Sequence, residues 1–430
     1  MYGLARNELK FALIISSAHV SQHVYYRILP PLIPVLAVAL EYPLWQLGLL
    51  ISIYSIGMGV TQAPLGLLAD RIDRKYLLPT GIIVTGSAYL LFAVSPALAG
   101  PVPAIAVFGY TFEGGYLLMT LSMLVVGAGL AVVHPTSYPM ISDNIAADRK
   151  GKVLGLFGAS SKFGDAATPT AVAGLILLLD WQQIIFLFGI VGIAYGILLF
   201  AVLAQDAFVT VPAQQRPSTE ETDEGREDTD NRSVLYPILA VYGFFISSML
   251  STRGLNTFLP AFVVAVYAYS VDLGSLTLGA ESVANLYFAI LLLSGGIMQL
   301  FLGGVTDARD PRIILIWCMI AATIGLVLLS IVPLSPLLLG GVIILLGSGL
   351  YGVNPARDAL ISSFSPAESE GRTFGYVFTA TSLTAAPLPA LIGYILETAG
   401  MRTGFLLLAI GPVLAIGCIL LLYSNIVYSE

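Results

Sequence analysis

Long apolar segments, each interrupted by a few polar residues, run along the whole chain. Most of them exceed about 18 residues, which is enough for a helix to cross the hydrocarbon core of a bilayer. The short alternating segments that are typical of membrane β-barrels are not seen. We therefore expect an all-α membrane protein with twelve transmembrane helices, near residues 11–38, 45–69, 77–95, 115–140, 151–179, 182–204, 234–266, 281–305, 312–332, 336–361, 372–396 and 403–427.

The second half of the chain repeats the first. Residues 127–169 align without a gap on residues 347–389, and most of the identical positions are glycine or proline, which fix backbone shape. Further offsets bring Arg27 into register with Arg253, and Gln62 with Gln299. An insert near 97–113 accounts for one change of offset. The duplication predicts two pseudo-symmetric six-helix bundles, at 1–205 and 234–430, joined by a flexible acidic linker at 206–233.

Composition supports a membrane location and gives an orientation. The chain is 57% hydrophobic and 10% charged, which is too little charge to cover the surface of a soluble protein. Nearly all lysines and arginines of the predicted loops fall on one side of the bilayer, and Arg402 falls on the other. By the positive-inside rule, both termini and the linker are predicted to lie on the cytoplasmic side of the cell membrane.

A polar stripe in the first predicted helix is the main sign of a binding site. The stripe has spacings of three and four residues, which place its members on one face: His19, Gln22, His23, Tyr26 and Arg27. The repeat is expected to place Arg27 and Arg253 on opposite sides of one central cavity. Two guanidiniums without an evident carboxylate partner favour an anion that both can bind. The alternative is that each arginine is neutralised by backbone carbonyls or by a neighbouring acid.

Other polar residues extend this predicted site. Supporting contacts with the substrate are expected from five side chains, Tyr26, Gln62, Lys162, Asn256 and Gln299. Lys162 and Asp165, three residues apart, either neutralise each other or act separately, Lys162 in the cationic cavity and Asp165 as the acceptor of a coupling proton. His19, His23 and His134 are the other candidates for proton coupling, although a buried histidine is often only hydrogen-bonded.

One loop motif names a family. The segment Gly66-Leu-Leu-Ala-Asp70-Arg71-Ile-Asp73-Arg74-Lys75 resembles the loop between helices 2 and 3 of the major facilitator superfamily, G-x-L-a-D-r-x-G-r-k, with Asp73 in place of the second glycine. A degenerate copy occupies residues 303–312. With twelve spans and the half repeat, the resemblance covers nearly the whole chain and implies the major facilitator fold.

The same resemblance suggests which residues open and close the cytoplasmic side. An aspartate at the end of helix 2 can face the N-terminus of helix 11 near Arg372, where the helix dipole favours negative charge. A simple topological anchor is the alternative. Pro135 and Pro355 are expected to be gate hinges, and Arg357 and Asp358 a pair at the inner mouth. The motif residues with a predicted gating role are Asp70, Arg71, Arg74, Asp307 and Arg312.

The predicted function is secondary transport. Paired arginines in helices 1 and 7 resemble the organophosphate/phosphate antiporter branch, whereas His134-Pro135 resembles the fosmidomycin-resistance-type branch. We expect a monomeric symporter or antiporter that moves a small organic anion, of the phosphate, phosphonate or carboxylate type, by alternating access. A drug or antimetabolite efflux transporter and a non-transporting membrane receptor are the alternatives.

Other function classes lack support in the sequence. It contains no GxxxxGK[ST] phosphate-binding loop, so we expect no cofactor and an energy supply from an ion or counter-substrate gradient. It also contains no metal-ligand cluster, no nucleophile with a matching base and no basic patch for nucleic acid. We therefore expect neither an enzyme nor a nucleic-acid-binding protein.

Overall fold

A computed structural model describes residues 4–205, 207–212, 232–306, 308–364, 380–381 and 383–422, with the backbone alone at 232–238 and 364. Sixteen helices lie wholly within this part of the chain, together with two short antiparallel hairpins. The predicted all-α class is confirmed. By its contacts the chain divides into two compact units, Met1–Leu40 with Leu49–Thr219, and Glu41–Gly48 with Glu220–Glu430.

The first unit contains most of the N-terminal half. Its core is apolar, with Phe11, Leu78 and Phe157 fully buried. The predicted insert at 97–113 contains an antiparallel hairpin, in which Ile105 pairs with Phe112. The elements are α1 (Arg6–Tyr26), α2 (Leu29–Ala39), α3 (Leu44–Ala69), α4 (Arg74–Val94), β1 (Ile105–Val107), β2 (Tyr110–Phe112), α5 (Gly114–Leu130), α6 (Val133–Asn144), α7 (Ala147–Leu175) and α8 (Trp181–Leu203).

The second unit has a similar order of helices, but its hairpin follows its first span, whereas the hairpin of the first unit follows the third. A stack of buried aromatic rings, Phe262 on Phe405 at 4.0 Å, joins its first and last spans. The elements are α9 (Arg232–Val266), β3 (Val271–Asp272), β4 (Thr277–Leu278), α10 (Ala280–Thr306), α11 (Pro311–Ile331), α12 (Pro336–Gly352), α13 (Asn354–Phe364), α14 (Leu388–Ala399), α15 (Met401–Leu407) and α16 (Ile410–Leu421).

Within the described residues, nine helices are long and apolar enough to cross a membrane. They correspond to nine of the twelve predicted spans. The span predicted at 11–38 is divided between α1 and α2, and α7 is more polar because it contains Lys162 and Asp165. The span predicted at 372–396 lies partly outside the described residues, and a shorter apolar helix, Leu383–Ala399, covers its end.

Four predicted spans are each broken into two helices, which corrects the sequence-based expectation of continuous helices. Each break lies two to four residues before a proline, which cannot donate a hydrogen bond to the carbonyl four positions earlier. Pro30 and Pro31 separate α1 from α2, so that Arg27 becomes the C-cap of α1. Pro135 and Pro355 follow the breaks α5–α6 and α12–α13, at repeat-related positions, and Pro412 follows α15–α16.

The repeated glycines mark close helix crossings. A Cβ on Gly129 would lie 2.6 Å from the Gly81 carbonyl oxygen, and one on Gly349 would lie 2.7 Å from the Cys318 carbonyl oxygen, the repeat-related position. Gly127 and Gly347 likewise press against the Tyr54 and Leu291 carbonyl oxygens. These two pairs of identical glycines therefore serve the same backbone contacts in the two units.

Candidate functional site

A buried carboxylate on α7 joins three basic side chains. Asp165 Oδ1 accepts a hydrogen bond from Arg27 Nε at 2.7 Å, and His23 Nδ1 lies 3.1 Å from the same oxygen. Lys162 Nζ lies 3.8 Å from Oδ2. Asp165 is thus a carboxylate partner of Arg27, and the premise that Arg27 lacks one is wrong. We call Arg27, His23, Lys162 and Asp165 the cationic cluster.

The local backbone brings these residues together. Arg27 lies at the break between α1 and α2, so that its side chain leaves the end of a helix. Gly164 lets α7 approach α1 closely, since a Cβ there would lie 2.6 Å from the Val20 carbonyl oxygen. Just beyond the cluster, Thr168 Oγ1 donates to the Val24 carbonyl oxygen at 3.1 Å. The register of α1 against α7 therefore fixes the cluster.

The accessible residues of the cluster are two of its basic residues, His23 and Lys162. The Asp165 side chain is 3% exposed and that of Arg27 6%, whereas His23 is 24% and Lys162 28% exposed. Arg27 and Lys162 carry two positive charges against the single carboxylate of Asp165. A molecule that approaches the exposed side of the cluster therefore meets an excess of positive charge, a setting that favours an anion.

The three histidines of the chain lie in one row. His134 Nε2 is 3.3 Å from His19 Nε2, and His19 Nδ1 is 2.7 Å from the Phe157 carbonyl oxygen. The ring of His19 meets that of His23 edge-on at 4.8 Å and stacks on Phe157 at 3.9 Å. The row therefore runs from the α6 end of a broken span to the cationic cluster.

The remaining predicted residues of the first unit lie around this cluster or on α3. The Arg27 guanidinium lies 4.8 Å from the centre of the Tyr26 ring. The centres of the Tyr26 and Tyr54 rings are 5.3 Å apart. Cation–π contact of this kind stabilises a guanidinium away from water. Gln62 is half-buried on α3.

In the second unit the predicted residues occupy α9 and α10. Arg253 is half-buried and Asn256 is buried one turn later on the same helix. Asn256 accepts a hydrogen bond from the Tyr351 hydroxyl on α12. Gln299 is half-buried on α10, and its buried Nε2 has no hydrogen-bond partner among the described residues. The predicted pairing of Arg27 with Arg253 around a single cavity remains a prediction.

The predicted gating loop of the first unit is held by its charges. Asp73, which replaces the family glycine, is the N-cap of α4 and accepts from Lys75 N at 3.1 Å. The buried Arg74 donates to Asp143 Oδ2 at 3.0 Å and lies 4.0 Å from Asp70 Oδ1. Arg71 is exposed. These contacts tie the loop between α3 and α4 to the end of α6.

The second unit has a matching loop. Asp310 caps α11 with nearly the same backbone angles as Asp73, φ −57° and ψ 119° against φ −58° and ψ 121°. Arg312 Nη2 lies 2.9 Å from Asp310 Oδ2. After the break before α13, Arg357 donates to its neighbour Asp358 at 2.8 Å. Asp307, another predicted gating residue, lies outside the described residues, as does Arg372.

Comparison with known proteins decides the family. The model of the Major Facilitator Superfamily matches residues 15–280 and 275–427. The chain belongs to the major facilitator superfamily. The predicted family, fold class and membrane-transport role are therefore confirmed, and members of this family are transporters of small molecules.

Individual relatives of this major facilitator protein differ in cargo. It is 26% identical over 152 residues to the "Probable L-galactonate transporter" of Escherichia coli (strain K12), which is 35% of this chain and 30% of that protein. It is 22% identical to the "Hexuronate transporter" of Bacillus subtilis (strain 168), over 85% of this chain and 82% of that one. It is 26% identical to the "Multi-drug resistance efflux pump PmrA homolog" of Lactococcus lactis subsp. lactis (strain IL1403), over 81% and 78%.

A solved structure supports the fold. The crystal structure of a bacterial homolog to the human lysosomal transporter Spinster, inward-facing and unoccupied, has a TM-score of 0.74 and 12% identity over 97% of both chains. At this identity the likeness concerns the fold alone. The major facilitator fold predicted from the loop motif and the repeat is confirmed.

Several residues that shape the site of this major facilitator protein were missed by the sequence reasoning. The Phe157 carbonyl, Tyr351 and Asp143 each complete a hydrogen bond to a predicted residue. Asp143 carried a usable signal, because it is an acidic residue at a predicted helix end beside a basic loop. No sequence signal identifies a backbone carbonyl acceptor.

Proposed function

We propose that this protein is a secondary active transporter of a small organic anion, working by alternating access across the cytoplasmic membrane. The observation that carries the proposal is the cationic cluster, in which Asp165 and Arg27 are buried while Lys162 and His23 are accessible. An anion can contact Lys162 and the edge of Arg27, while Asp165 offsets one of their two positive charges in the empty state. The sugar-acid names of two relatives agree with this charge preference.

The energy source and orientation belong to the same proposal. The protein uses no cofactor and is driven by an ion or counter-substrate gradient. Both termini lie in the cytoplasm, as the distribution of lysine and arginine along the sequence supports. Arg253 in the second unit takes part in binding, as its repeat relation to Arg27 suggests.

Removal of one accessible charge tests the anion site. We expect Lys162→Gln to raise the KM for uptake of D-glucuronate or phosphate into proteoliposomes. A hydrogen bond to a charged group contributes about 1.5–3 kcal/mol, so the expected rise is roughly tenfold or more. Lys152→Gln is the matched control, because Lys152 is exposed near the start of the same helix, α7, far from Asp165 in sequence.

A test of Arg27 by substitution must also remove the charge of its buried partner, Asp165. Arg27→Gln alone leaves Asp165 buried without its main partner, which costs about 3–5 kcal/mol in comparable cases. The double variant Arg27→Gln with Asp165→Asn removes both charges and keeps hydrogen-bonding groups in place. We expect it to fold and to lose anion transport. Normal anion uptake by both this variant and Lys162→Gln would contradict the proposal.

Drug efflux is the second candidate, supported by the match to the multidrug pump homolog over most of both chains. Drug efflux, unlike anion transport, would make cells that express the protein resistant to several structurally unrelated compounds. If such resistance persists in Lys162→Gln while no anion is transported by the natural protein, the efflux function replaces the anion function.

A further inference from the structure

The histidine row has a definite hydrogen-bond direction. A carbonyl oxygen only accepts, so His19 Nδ1, 2.7 Å from the Phe157 carbonyl, carries a hydrogen. Neutral imidazole has one N–H, and therefore His19 Nε2 accepts from His134 Nε2, 3.3 Å away. A second proton on His19 would remove this acceptor nitrogen. The geometry therefore makes His134 Nε2 the donor and His19 Nε2 the acceptor between the two rings.

His23 is in a different position. Its Nδ1 faces Asp165 Oδ1 at 3.1 Å, so Nδ1 carries the hydrogen and Nε2 is left to take up a proton. Its side chain is 24% exposed, which gives the proton a path. The charged and titratable groups around it are Tyr26, Arg27 and His19 on α1, Lys162 and Asp165 on α7, and His134 on α6 beyond His19.

Asp165 Oδ1 is shared between two donors. Arg27 Nε holds it at 2.7 Å and His23 Nδ1 at 3.1 Å. An anion that draws on the charge of Arg27 and Lys162 weakens the neutralisation of Asp165. A proton on His23 Nε2 makes His23 a cation that replaces the lost neutralisation at the same oxygen. Anion and proton then stabilise each other, and by linkage each raises the affinity for the other.

We propose that His23 is the proton-binding residue that couples anion transport to a proton gradient, with Asp165 as its counter-ion. The inference rests on the proposed function and adds its coupling ion. One proton adds to His23 Nε2 when the anion binds and leaves from the same nitrogen when the anion is released. No other bond changes, and His19 and His134 act as positioning residues.

Proton counting on the purified full-length protein tests this inference. D-glucuronate binding is measured by calorimetry near pH 7 in two buffers of different ionisation enthalpy. We expect an uptake of about one proton per anion at full coupling, and an affinity that rises about 5- to 100-fold between pH 8 and pH 6. His23→Gln should lose both the proton uptake and the pH dependence. Lys152→Gln should keep both.

A second measurement separates coupling from transport. In proteoliposomes, glucuronate counterflow needs no proton gradient, whereas uphill accumulation does. His23→Gln should keep counterflow and lose accumulation driven by an inward proton gradient. His23→Lys, which places a lasting cation beside Asp165, should bind glucuronate with an affinity that no longer changes with pH, and this variant serves if His23→Gln fails to fold.

The outcomes distinguish the two proposals. Proton uptake that persists in His23→Gln, or anion binding by the natural protein without proton uptake, overturns the role of His23 and leaves anion transport standing. Absence of glucuronate counterflow in the natural protein contradicts the proposed function for this substrate class, and the inference falls with it.

Discussion

At the residue scale, one glycine sets the distance between the two helices of the site. Gly164 adjoins Asp165 and faces the backbone of α1, where a Cβ would lie 2.6 Å from the Val20 carbonyl oxygen and 2.9 Å from His23 Cβ. The oxygen belongs to a helix backbone and cannot move aside without moving α1. The short distances from Asp165 to Arg27 and His23 therefore depend on a missing side chain.

We expect Gly164→Ala to separate α1 from α7 and to destabilise the protein by about 1–3 kcal/mol, as overpacking generally does. Thermal unfolding in detergent measures the loss, and anion binding should weaken with it. Gly158→Ala is the matched control on the same helix, because a Cβ there meets nothing within 4 Å. That substitution should leave stability unchanged or raise it slightly through helix propensity. Equal effects of the two substitutions would contradict the role given to Gly164.

The contacts of Arg27 show which features of the site the sequence predicts and which it does not. The helical spacing of His19, His23 and Arg27 predicts a shared face, and these residues do line one site. It does not predict that Arg27 meets Asp165, 138 residues away, because that contact depends on the rotation and register of α7 against α1. A partner that comes from packing leaves no periodic signal in either helix.

At the element scale, the two family loops end in equivalent helix caps. Asp73 accepts from Lys75 N at 3.1 Å, and Asp310 accepts from Arg312 N at 2.9 Å. Neither aspartate has a positive φ, so this turn does not need the backbone freedom of glycine. The side-chain acceptor instead satisfies one of the free N–H groups at the start of the helix.

Capping predicts a difference between two substitutions at the same position. Asp73→Ala removes the acceptor and should destabilise the protein by about 1 kcal/mol, whereas Asp73→Asn keeps an acceptor oxygen and should cost much less. Thermal unfolding of both variants in detergent measures the difference. If Asn proves as damaging as Ala, the ion pair with Lys75, at 3.3 Å, matters more than the cap.

The positions of prolines predict the helix breaks only in part. Pro30, Pro31, Pro135, Pro355 and Pro412 each follow a break within four residues. Single prolines at 64 and 79 instead lie inside the continuous helices α3 and α4. Proline removes one hydrogen bond in every case, and tertiary packing decides whether the helix bends or ends. The sequence therefore predicts where a span is weak, and the structure decides which weak points become breaks.

At the scale of the whole molecule, the sequence reveals the duplication because glycines at close backbone contacts are kept in both halves. Gly129 and Gly349 touch repeat-related residues, Gly81 and Cys318, and no other residue type fits at such crossings. Gly155, also repeated, has nothing near it in the structure, and nothing in the structure explains why it is glycine. Cargo has no comparable backbone requirement, which is why relatives of similar identity carry names as different as hexuronate transporter and multidrug pump.

The predicted orientation of the molecule in the membrane can be tested separately in both units. Asp148, in the first turn of α7, and Arg309, just before α11, belong to the predicted cytoplasmic side, and the hairpins with Phe108 and Leu273 belong to the opposite side. All four side chains are exposed, with Phe108 97% and Leu273 60% accessible. Single cysteines at these positions, in a background without the two native cysteines, report the side through a membrane-impermeant thiol reagent.

In intact cells we expect Phe108→Cys and Leu273→Cys to react, and Asp148→Cys and Arg309→Cys to react only after permeabilisation. The reason is that a loop rich in lysine and arginine is retained on the cytoplasmic side, whereas a hairpin without lysine or arginine crosses easily. Reaction of each variant after permeabilisation is the control for accessibility. The opposite labelling in both units would reverse the orientation and place the termini outside. Opposite results in the two units would mean that an odd number of spans separates Phe108 from Leu273, and would contradict the six-plus-six arrangement itself.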